Sequence, residues 1–485
     1  MNDEKIIKVN SDIAAGELRC PNCGSAQIEP NPKTGKLKCN YCQIEFDGKE
    51  VKNTEKNLSK LKGKVRGRGT SNIKTDAKDV ITLKCGGCGA EVVIDTKEAP
   101  HARCHWCRSI LSINNQIDNG AIPDVILPFQ TKKEEAEEKI KDFVHKRSFF
   151  ANPNFKKEFT TENIMGVYFP YLLVDGNCHA KFLGEGEHLV REYTVSRGNN
   201  RRETRYDADL YKVGREFDIT IDDLSIESNS IRIDKTRSSE TNNIINSIMP
   251  FDTENCIQYQ SNYLIGYTSE RRDINVDDIE GKVEAQFRDI ARFSAKEDAK
   301  FYDRGIRWDN EELKTLGSQW LAAYLPVWLY SYQEVKGKKK TLHYVAVNGR
   351  TGETMGSIPV NKPLLFIVSA IIEVLSFIIA MFLFISASRG DDDNAFFFFF
   401  ILVAGFVYYG AMYARYRNQE ARHTYEKETK KEVTNIERID EFIKHEKGLS
   451  NSMMRGRNDH KLEGENLKVV VAIKEVVDIV NKDIE

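Results

Sequence analysis

The chain has 485 residues, enough for about two to four domains with buried cores. Its 71 lysine and arginine residues nearly balance 73 aspartate and glutamate residues, and the formal net charge is −2. A chain so close to neutral has no overall positive field for nucleic acid, so any such contact would have to be local.

Eight of the ten cysteines form two sets with the same spacing, C-x2-C-x15-C-x2-C. Each cysteine of the second set lies 65 positions after its counterpart in the first. Two cysteine pairs on tight turns can place four thiolates around one metal, the structural zinc site of a zinc ribbon. We therefore expect two structural zinc ions, bound by Cys20, Cys23, Cys39, Cys42, Cys85, Cys88, Cys104 and Cys107.

The two ribbons are expected at residues 16–48 and 79–115. Gly24 and Gly89 follow a cysteine pair and suit a turn with positive φ. Such small units have little core, so the metal must supply much of their folding free energy. Disulfides are the rival interpretation, but they need an oxidising compartment, and no secretory signal peptide is recognised.

Four other side chains could enter this chemistry, and each has a simpler interpretation. His101 and His105 flank the second site, whose four thiolates already saturate a structural zinc, so we expect surface histidines. Cys178 and Cys256 lack partner spacing and are expected to be buried free thiols.

Residues 49–78 form a basic linker between the ribbons, with ten Lys or Arg against three Asp or Glu. Glycines and few large apolar residues predict a disordered or loosely ordered segment. It is either a soluble spacer or a binding site for an anionic partner such as nucleic acid, lipid headgroups or an acidic protein. The basic residues concerned are Lys60, Lys62, Lys64, Arg66 and Arg68.

An α+β domain is expected at residues 121–360. Apolar stripes predict helices at 131–147 and 277–301. The turn Asn348–Gly352 predicts a hairpin. The predicted strands are Val167–Val174, His188–Val195, Ile257–Tyr267, Leu325–Tyr332, Leu342–Val347 and Thr354–Ile358.

Two segments of this domain are alike, Tyr168–Leu173 and Tyr324–Leu329, and both carry a proline within an apolar strand. A proline there suggests an edge or bulged position, and the likeness reflects either a duplicated α+β unit or simply good core sequence. The domain contains no phosphate-binding loop, H-E-x-x-H or G-x-S-x-G motif, so no enzymatic activity is expected.

Residues 364–385 and 395–414 are each apolar enough and long enough to cross about 30 Å of hydrocarbon as a helix. The connector 386–394 is short, so the two spans should form a hairpin. Basic residues flank the outer ends of the spans, which predicts that both termini face the cytoplasm. Glu373 lies near the middle of the first span. Its carboxyl group is expected to be neutral and packed within the hairpin, to pair with a hydroxyl group, or to contact a membrane helix of a partner protein.

The C-terminal region is predicted to begin with a charged cytoplasmic helix at 415–447 that suits a partner helix. A flexible linker at 448–465 follows. Residues 466–485 form an amphipathic segment, either a helix or a strand, which either docks on a partner or packs back on the α+β domain.

The region 85–415 resembles bacterial membrane-anchored proteins described as containing transcription-factor-IIB-type zinc ribbons. Some of these are labelled primosomal protein N-prime or superfamily II helicase, but the similarity to that helicase is confined to Cys-x-x-Cys pairs. The residues that carry the resemblance are Cys85–Cys88, Cys104–Cys107, Leu127–Phe129, Gly166–Pro170, Leu325–Leu329, Tyr344–Gly349 and the apolar hairpin. The resemblance implies partners of the phage-shock (PspA-like) or flotillin-like type in envelope stress.

These observations favour a non-enzymatic scaffold of the bacterial inner membrane, in which the hairpin is the anchor and the ribbons and tail recruit cytoplasmic proteins. The alternative is a membrane-tethered protein that binds nucleic acid through the ribbons and the basic linker. An enzyme housed in the α+β domain is the third hypothesis, and no motif supports it.

Overall fold

The structure is a computed structural model that describes residues 4–6, 20–23, 25, 27–31, 34, 36–47, 58–70, 79–96, 102–197, 201–230, 240–241, 244–297, 301–337, 339–387, 403–416 and 423–424. The connector beyond residue 387, the first part of the expected second span, the linker 448–465 and the segment 466–485 lie outside the described residues.

The described residues confirm a mixed α and β architecture preceded by two four-cysteine clusters. The N-terminal part contains strands β1 Glu4–Ile6, β2 Ile28–Pro30, β3 Leu37–Cys39, β4 Glu45–Phe46, β5 Gly63–Arg66, β6 Val80–Lys84, β7 Glu91–Asp95 and β8 Gln116–Ile117. The middle part contains β9 Val125–Ile126, α1 Lys133–His145, α2 Pro153–Glu158, β10 Met165–Arg197, β11 Arg201–Glu227, β12 Glu240–Thr241, α3 Ile244–Ser247, β13 Ile257–Gln258, β14 Thr268–Glu270, α4 Val276–Glu297, β15 Ile306–Lys336, β16 Lys339–Asn348 and β17 Thr354–Gly356. The C-terminal part contains α5 Lys362–Ala387, α6 Ala404–Tyr416 and β18 His423–Thr424.

One large sheet organises the described part of the chain. Its strands run in the order β1, β5, β15, β10, β14, β7, β6 and β8, and β11 also pairs with β10 while β9 and β16 pair with β15. Strands β6 and β7 belong to the second ribbon and β8 follows it directly, so that ribbon is part of the main sheet. The first ribbon instead has its own three-stranded sheet of β2, β3 and β4.

Strands β10, β11 and β15 are far longer than expected, with 33, 27 and 31 residues. The separate strands predicted at Val167–Val174 and His188–Val195 are both parts of β10. Bulges after Val174 and Leu189 let the pairing of β10 with β11 continue through both predicted segments, so no turn divides them. The prediction was also wrong for Ile257–Tyr267, of which only β13 is a strand before a 3-10 turn at Ser261–Leu264.

Beyond Gly186, strand β10 pairs only with β11 among the described residues. These two strands form a two-stranded ribbon, which we call the arm (Glu187–Arg197 with Arg201–Leu210). At about 3.3 Å per residue, β10 as a whole measures about 110 Å along its path. The arm therefore projects from the end of the sheet opposite the β15–β16 turn.

The two similar segments pair with each other, Phe169 opposite Leu325 and Pro170 opposite Tyr324. Their neighbours correspond as well. Strand β9, which precedes α1 and β10, pairs in parallel with β15, whereas β14, which precedes α4 and β15, pairs in parallel with β10. The hairpins β10–β11 and β15–β16 complete two units of the same topology related by an approximate twofold axis. Of the two interpretations, the structure therefore favours a duplicated unit.

Neither proline of these segments lies on an edge strand, so that prediction was wrong. Pro170 falls between the last β14 pair, at Tyr168, and the first β11 pair, at Tyr171. Pro326 falls likewise between the last pair with β9 and the first pair with β16. Each central strand changes its neighbour at the proline, so the missing N–H interrupts no continuous ladder on that side.

The predicted helices are present as α1 and α4 and cover the sheet with the expected apolar stripes. In α4 the buried residues include Val283 and Phe287, and the Phe287 ring lies against Gly176 of β10. A Cβ at Gly176 would lie 2.5 Å from that ring, so glycine allows the helix to approach the strand closely. Cys178 is buried beside it, as expected, and Cys256 is partly buried.

Helix α5 confirms one apolar helix long enough to cross a membrane, at Lys362–Leu383. Within the described residues it is the only one, because α6 covers 13 residues of the expected second span. The helix predicted for 415–447 is wrong at His423–Thr424, which pair as β18 with β12. Charged sequence with a narrow apolar stripe gives only a weak helix signal, and here backbone pairing decides the structure.

Candidate metal centres and buried polar joints

The first metal centre lies between the turn at Cys20–Cys23 and the hairpin β3–β4. The Sγ atoms of Cys20 and Cys42 are 3.5 Å apart, and those of Cys23 and Cys39 are 3.6 Å apart. All four sulfurs lie within 4.8 Å of one another. Zn–S bonds of about 2.3 Å give a tetrahedron with edges of about 3.8 Å, so a small expansion would admit zinc.

The second centre repeats this geometry in the main sheet. Its sulfur pairs are Cys85–Cys107 at 3.4 Å and Cys88–Cys104 at 3.5 Å. The hydrogen bond from Cys104 lowers the pKa of the Cys88 thiol, which favours the thiolate form that a metal binds. The donor sets confirm two four-cysteine clusters that fit zinc, and four thiolates leave no open position for a substrate.

The cysteine turns are closed by the residue after each second cysteine. Gly89 has φ +81° and donates its N–H to the carbonyl of Cys85, as expected for this glycine. Gly24 lies outside the described residues. Gln43 and Arg108 take the same left-handed conformation with φ near 60°, although they are not glycines. Their N–H groups donate to the carbonyl oxygens of Cys39 and Cys104. This hydrogen bond and the packing of the four cysteines together stabilise the left-handed turn.

The prediction that His105 is a surface residue was wrong, because its side chain is fully buried. Its Nδ1 lies 3.1 Å from the Thr268 hydroxyl and its Nε2 lies 3.4 Å from Oε1 of Glu270. Trp106 donates its indole N–H to the same Glu270 oxygen at 2.6 Å. Cysteine spacing identifies ligands but does not say which face of the turn meets the rest of the protein. His101 lies outside the described residues.

Glu270 belongs to β14, so this contact joins the second ribbon to the second repeated unit. Asn229 donates to its other carboxylate oxygen at 3.3 Å, and Ser331 donates to the His105 carbonyl at 2.6 Å. A buried carboxylate is stable only when its oxygens accept such bonds. Residues between two zinc ligands thus form the joint between ribbon and domain.

The basic linker is partly ordered, contrary to expectation. Its strand β5 pairs in parallel with β15, Gly63 opposite Gly317 and Arg66 opposite Trp320. Leu61 is buried beside it, and the acidic first turns of α4 supply partners for the charges. Short strands flanked by glycine give little periodic signal, so a sequence pattern cannot reveal this pairing.

The five predicted anion-binding residues do not form one patch. Lys64 Nζ lies 2.7 Å from Glu280 Oε2, and an Arg66 guanidinium nitrogen lies 2.6 Å from Asp277 Oδ1. Hydrogen bonding to Arg66 lowers the pKa of Asp277. Lys60 and Lys62 are exposed, and Arg68 is half-buried. Two of the five charges are therefore already neutralised by α4.

Asp124 is a buried carboxylate that the sequence analysis missed. It accepts hydrogen bonds from the Gly69 N–H at 2.7 Å and the Ala322 N–H at 2.9 Å, and so ties the linker to β15. A Cβ at Gly67 would lie 2.1 Å from the Oδ2 of Asp124, so only glycine fits there. The alternation of arginine and glycine at 66–69 is therefore the one feature of the sequence that could have indicated this close contact. Burial raises the pKa of Asp124 to about 6, opposed by these donors and by the charge of Arg272.

Glu373 lies between α5 and α6. Its Oε2 accepts a hydrogen bond from the Gly405 N–H at 2.8 Å, in the first turn of α6. The first N–H groups of a helix lack partners within it, so a carboxylate there is favourable. The hydroxyls of Ser369 and Ser376 bond to backbone carbonyls of α5, at Leu365 and Glu373. The Glu373 carboxylate therefore contacts the N-terminus of α6 and not a hydroxyl group of α5.

Asp175, Asp222 and Asp223 form a further acidic group at the bulge of β10 and β11. The Asp223 N–H and the Gln319 side chain donate to the two oxygens of Asp175. Burial, with repulsion from Asp223 and Asp222, raises the pKa of Asp175 well above its ordinary value. These bonds give the group a structural role at the bulge.

Comparison of the chain with protein-family models, with curated proteins and with solved structures found no match.

Proposed function

We propose that the protein is a non-enzymatic scaffold of the bacterial inner membrane, which holds a partner-binding sheet at a fixed position above the bilayer. The observation that supports this proposal most strongly is the surface of α5. Its side chains Phe366, Ile371 and Phe382 are more than half exposed, although the first turn of the helix is attached to the folded domain. Apolar side chains exposed along a whole helix call for a lipid environment.

The attachment of the helices to the domain supports a rigid scaffold. The Phe150 N–H donates to the Tyr416 hydroxyl at 3.0 Å, and the Ile358 N–H donates to the Tyr416 carbonyl at 3.2 Å. The Asn361 N–H donates to the Phe150 carbonyl at 2.7 Å. Bonds from several segments to the ends of α5 and α6 restrict the angle between the sheet and the helices.

The arm is the part of the sheet that we assign to partners. The base of α5 is near the last residues of β15, since Asn152 donates both to the Pro359 carbonyl and to Glu334. The arm extends from the opposite end of β15. Strand β11 has a free edge there among the described residues, and such an edge can accept a strand from another protein.

The remaining proposals concern topology and partners. Residues 395–414 form the second span, and both termini lie in the cytoplasm because the basic residues flank the outer ends of the hairpin. The reducing cytoplasm keeps the zinc thiolates available. By its resemblance to membrane-anchored zinc-ribbon proteins, the chain recruits phage-shock-type or flotillin-like proteins during envelope stress.

The test is copurification from native membranes with a variant that lacks the arm. Residues 190–207 are replaced by an Asn-Gly turn that joins Leu189 to its cross-strand partner Ala208. We expect this variant to stay in the membrane with its zinc and to lose phage-shock-type or flotillin-like partners that the full chain retains.

The matched control is Lys60→Gln with Lys62→Gln, two exposed residues outside the arm, which should retain the partners. Recovery of the same partners by the arm-less variant contradicts the role of the arm. A full chain that carries no membrane-remodelling or flotillin-like protein, or that leaves the membrane in carbonate washes, contradicts the scaffold itself.

A further inference from the structure

The connection between α1 and α2, which we call the interfacial loop (Lys146–Asn152), exposes a large apolar side chain. Phe149 is 65% exposed, while its neighbour Phe150 is 1% exposed. The two rings meet edge to face with centroids 4.7 Å apart. An exposed phenylalanine is unremarkable alone, so its position relative to the membrane helices decides its meaning.

That position is fixed by Phe150. Its ring contacts Tyr408 and Tyr416 of α6, with centroid distances of 6.4 and 6.1 Å. These tyrosines are eight residues apart, about 12 Å along the helix axis, so Phe150 lies beside the last two turns of α6. Phe149 is therefore at the depth of the final residues of the expected span, and Phe406 and Val407 are exposed further along the same helix.

Cationic side chains surround the loop. Arg147 donates from Nε to the Arg415 carbonyl at 3.2 Å, and its guanidinium lies 3.6 Å from the centre of the Phe143 ring. The Lys362 ammonium lies 5.5 Å from the Tyr413 ring. Lys146 pairs with Asp142 at 2.6 Å in an exposed contact, which water and salt weaken. Apolar and cationic groups at one depth are typical of a membrane interface.

We propose that the interfacial loop is an additional membrane contact, in which Phe149 enters the boundary between headgroups and acyl chains. Arg147, Lys362 and Arg415 bind anionic lipid headgroups around it. The proposal rests on the proposed membrane anchoring of α5. The anchor would then bind anionic lipids selectively on the side of the bilayer where α5 begins and α6 ends.

The test uses tryptophan quenching by brominated lipids in the full chain, reconstituted in vesicles of phosphatidylcholine and phosphatidylglycerol. The reporter is Phe149→Trp, read against the wild-type fluorescence of the four native tryptophans. Phe366→Trp on α5 reports on the span, and Leu210→Trp is an exposed apolar control at the base of the arm.

We expect brominated lipid to quench the tryptophans at 149 and 366 and to leave the one at 210 unquenched. At equal mole fraction, brominated phosphatidylglycerol should quench position 149 about twofold or more beyond brominated phosphatidylcholine, because each nearby cation enriches anionic lipid. The double change Lys362→Gln with Arg415→Gln should reduce this preference, because only Arg147 of the three cations then remains. The double change Lys181→Gln with Lys314→Gln, at two exposed lysines of the sheet, should keep it.

Quenching at 366 without quenching at 149 would overturn the interfacial loop while the anchor stands. Equal quenching of 149 by the two brominated lipids would overturn the binding of anionic headgroups. Absence of quenching at both 149 and 366 would overturn the proposed anchoring as well.

Discussion

Single buried side chains hold the separate parts of this protein together. Glu270 joins the second ribbon to β14, and Asp124 joins the basic linker to β15. Each is a carboxylate enclosed by donors from distant parts of the chain, at positions with no recognisable local motif. The cysteine ligands could be predicted from the sequence because their spacing is local, whereas these acceptors depend on which strands become neighbours.

Asp124 makes a testable contribution to the pH dependence of stability. Its pKa is about 6 in the folded protein against an ordinary value of 3.8, so the folded state binds the proton more tightly between these values. Its contribution to stability is therefore greatest below about pH 4 and is lost as the pH rises through 6. At 1.36 kcal/mol per pKa unit, the loss is roughly 3 kcal/mol.

The measurement is chemical unfolding of Asp124→Asn and of wild type from pH 4 to 7. The asparagine amide cannot accept both N–H groups, so the variant should be less stable by about 1 to 3 kcal/mol at neutral pH. Because wild type loses this stabilisation as the pH rises, the difference between wild type and variant should be larger at pH 4 and should shrink towards pH 7. Asp118→Asn, at an exposed carboxylate, is the control, and an Asp124→Asn curve parallel to wild type would contradict the assignment.

At the scale of elements, the two ribbons have the same metal geometry but different surroundings. Helices α1 and α4 and the hairpin turn could be predicted because an apolar stripe or a turn motif lies within one segment. The two-residue strands β9 and β13 and the three-residue β14 have no such signal, since their partners lie more than a hundred residues away. For this reason, the attachment of the second ribbon to the sheet could not be predicted from the sequence.

Loss of each metal should therefore have a different structural effect. Cys23→Ser and Cys88→Ser should each lower zinc content from about two ions per chain to about one. Hydrogen exchange should rise only around β2–β4 in the first variant. In the second it should rise in β6–β8 and also in β14, whose neighbour is lost.

Metal analysis and hydrogen exchange on the full chain provide the measurements. Cys178→Ser, at a buried thiol outside both clusters, should leave zinc content unchanged. Exchange confined to the ribbon strands in both variants would show that the second ribbon does not support the sheet.

At the scale of the whole molecule, helices α5 and α6 and the arm lie at opposite ends of the strands β10 and β15. The hydropathy of the sequence predicts the apolar helix, but it cannot predict the length of the arm, because that length depends on the pairing of β10 with β11. With α5 anchored in the membrane as proposed, the sheet extends away from the bilayer on the side where α5 begins. We expect that side to be the cytoplasm.

Trypsin should therefore cut the arm only from the cytoplasmic side. Arg197 and Arg201 lie at its tip, where a two-stranded ribbon has little protection. We expect trypsin to cleave the arm in inverted membrane vesicles and not in intact spheroplasts. Detergent should abolish the difference, and cleavage from the outside of sealed cells would reverse the topology.

The exchange of strands between the two repeated units has a consequence for synthesis. Strand β10 emerges early from the ribosome, but its partners β14 and β15 follow about a hundred residues or more later. The first unit must therefore wait with unpaired edges, which are prone to aggregation. The last strand of the main sheet, β17, ends at Gly356, shortly before α5 begins at Lys362. Completion of the sheet and synthesis of the apolar helix thus fall within the same short interval of translation.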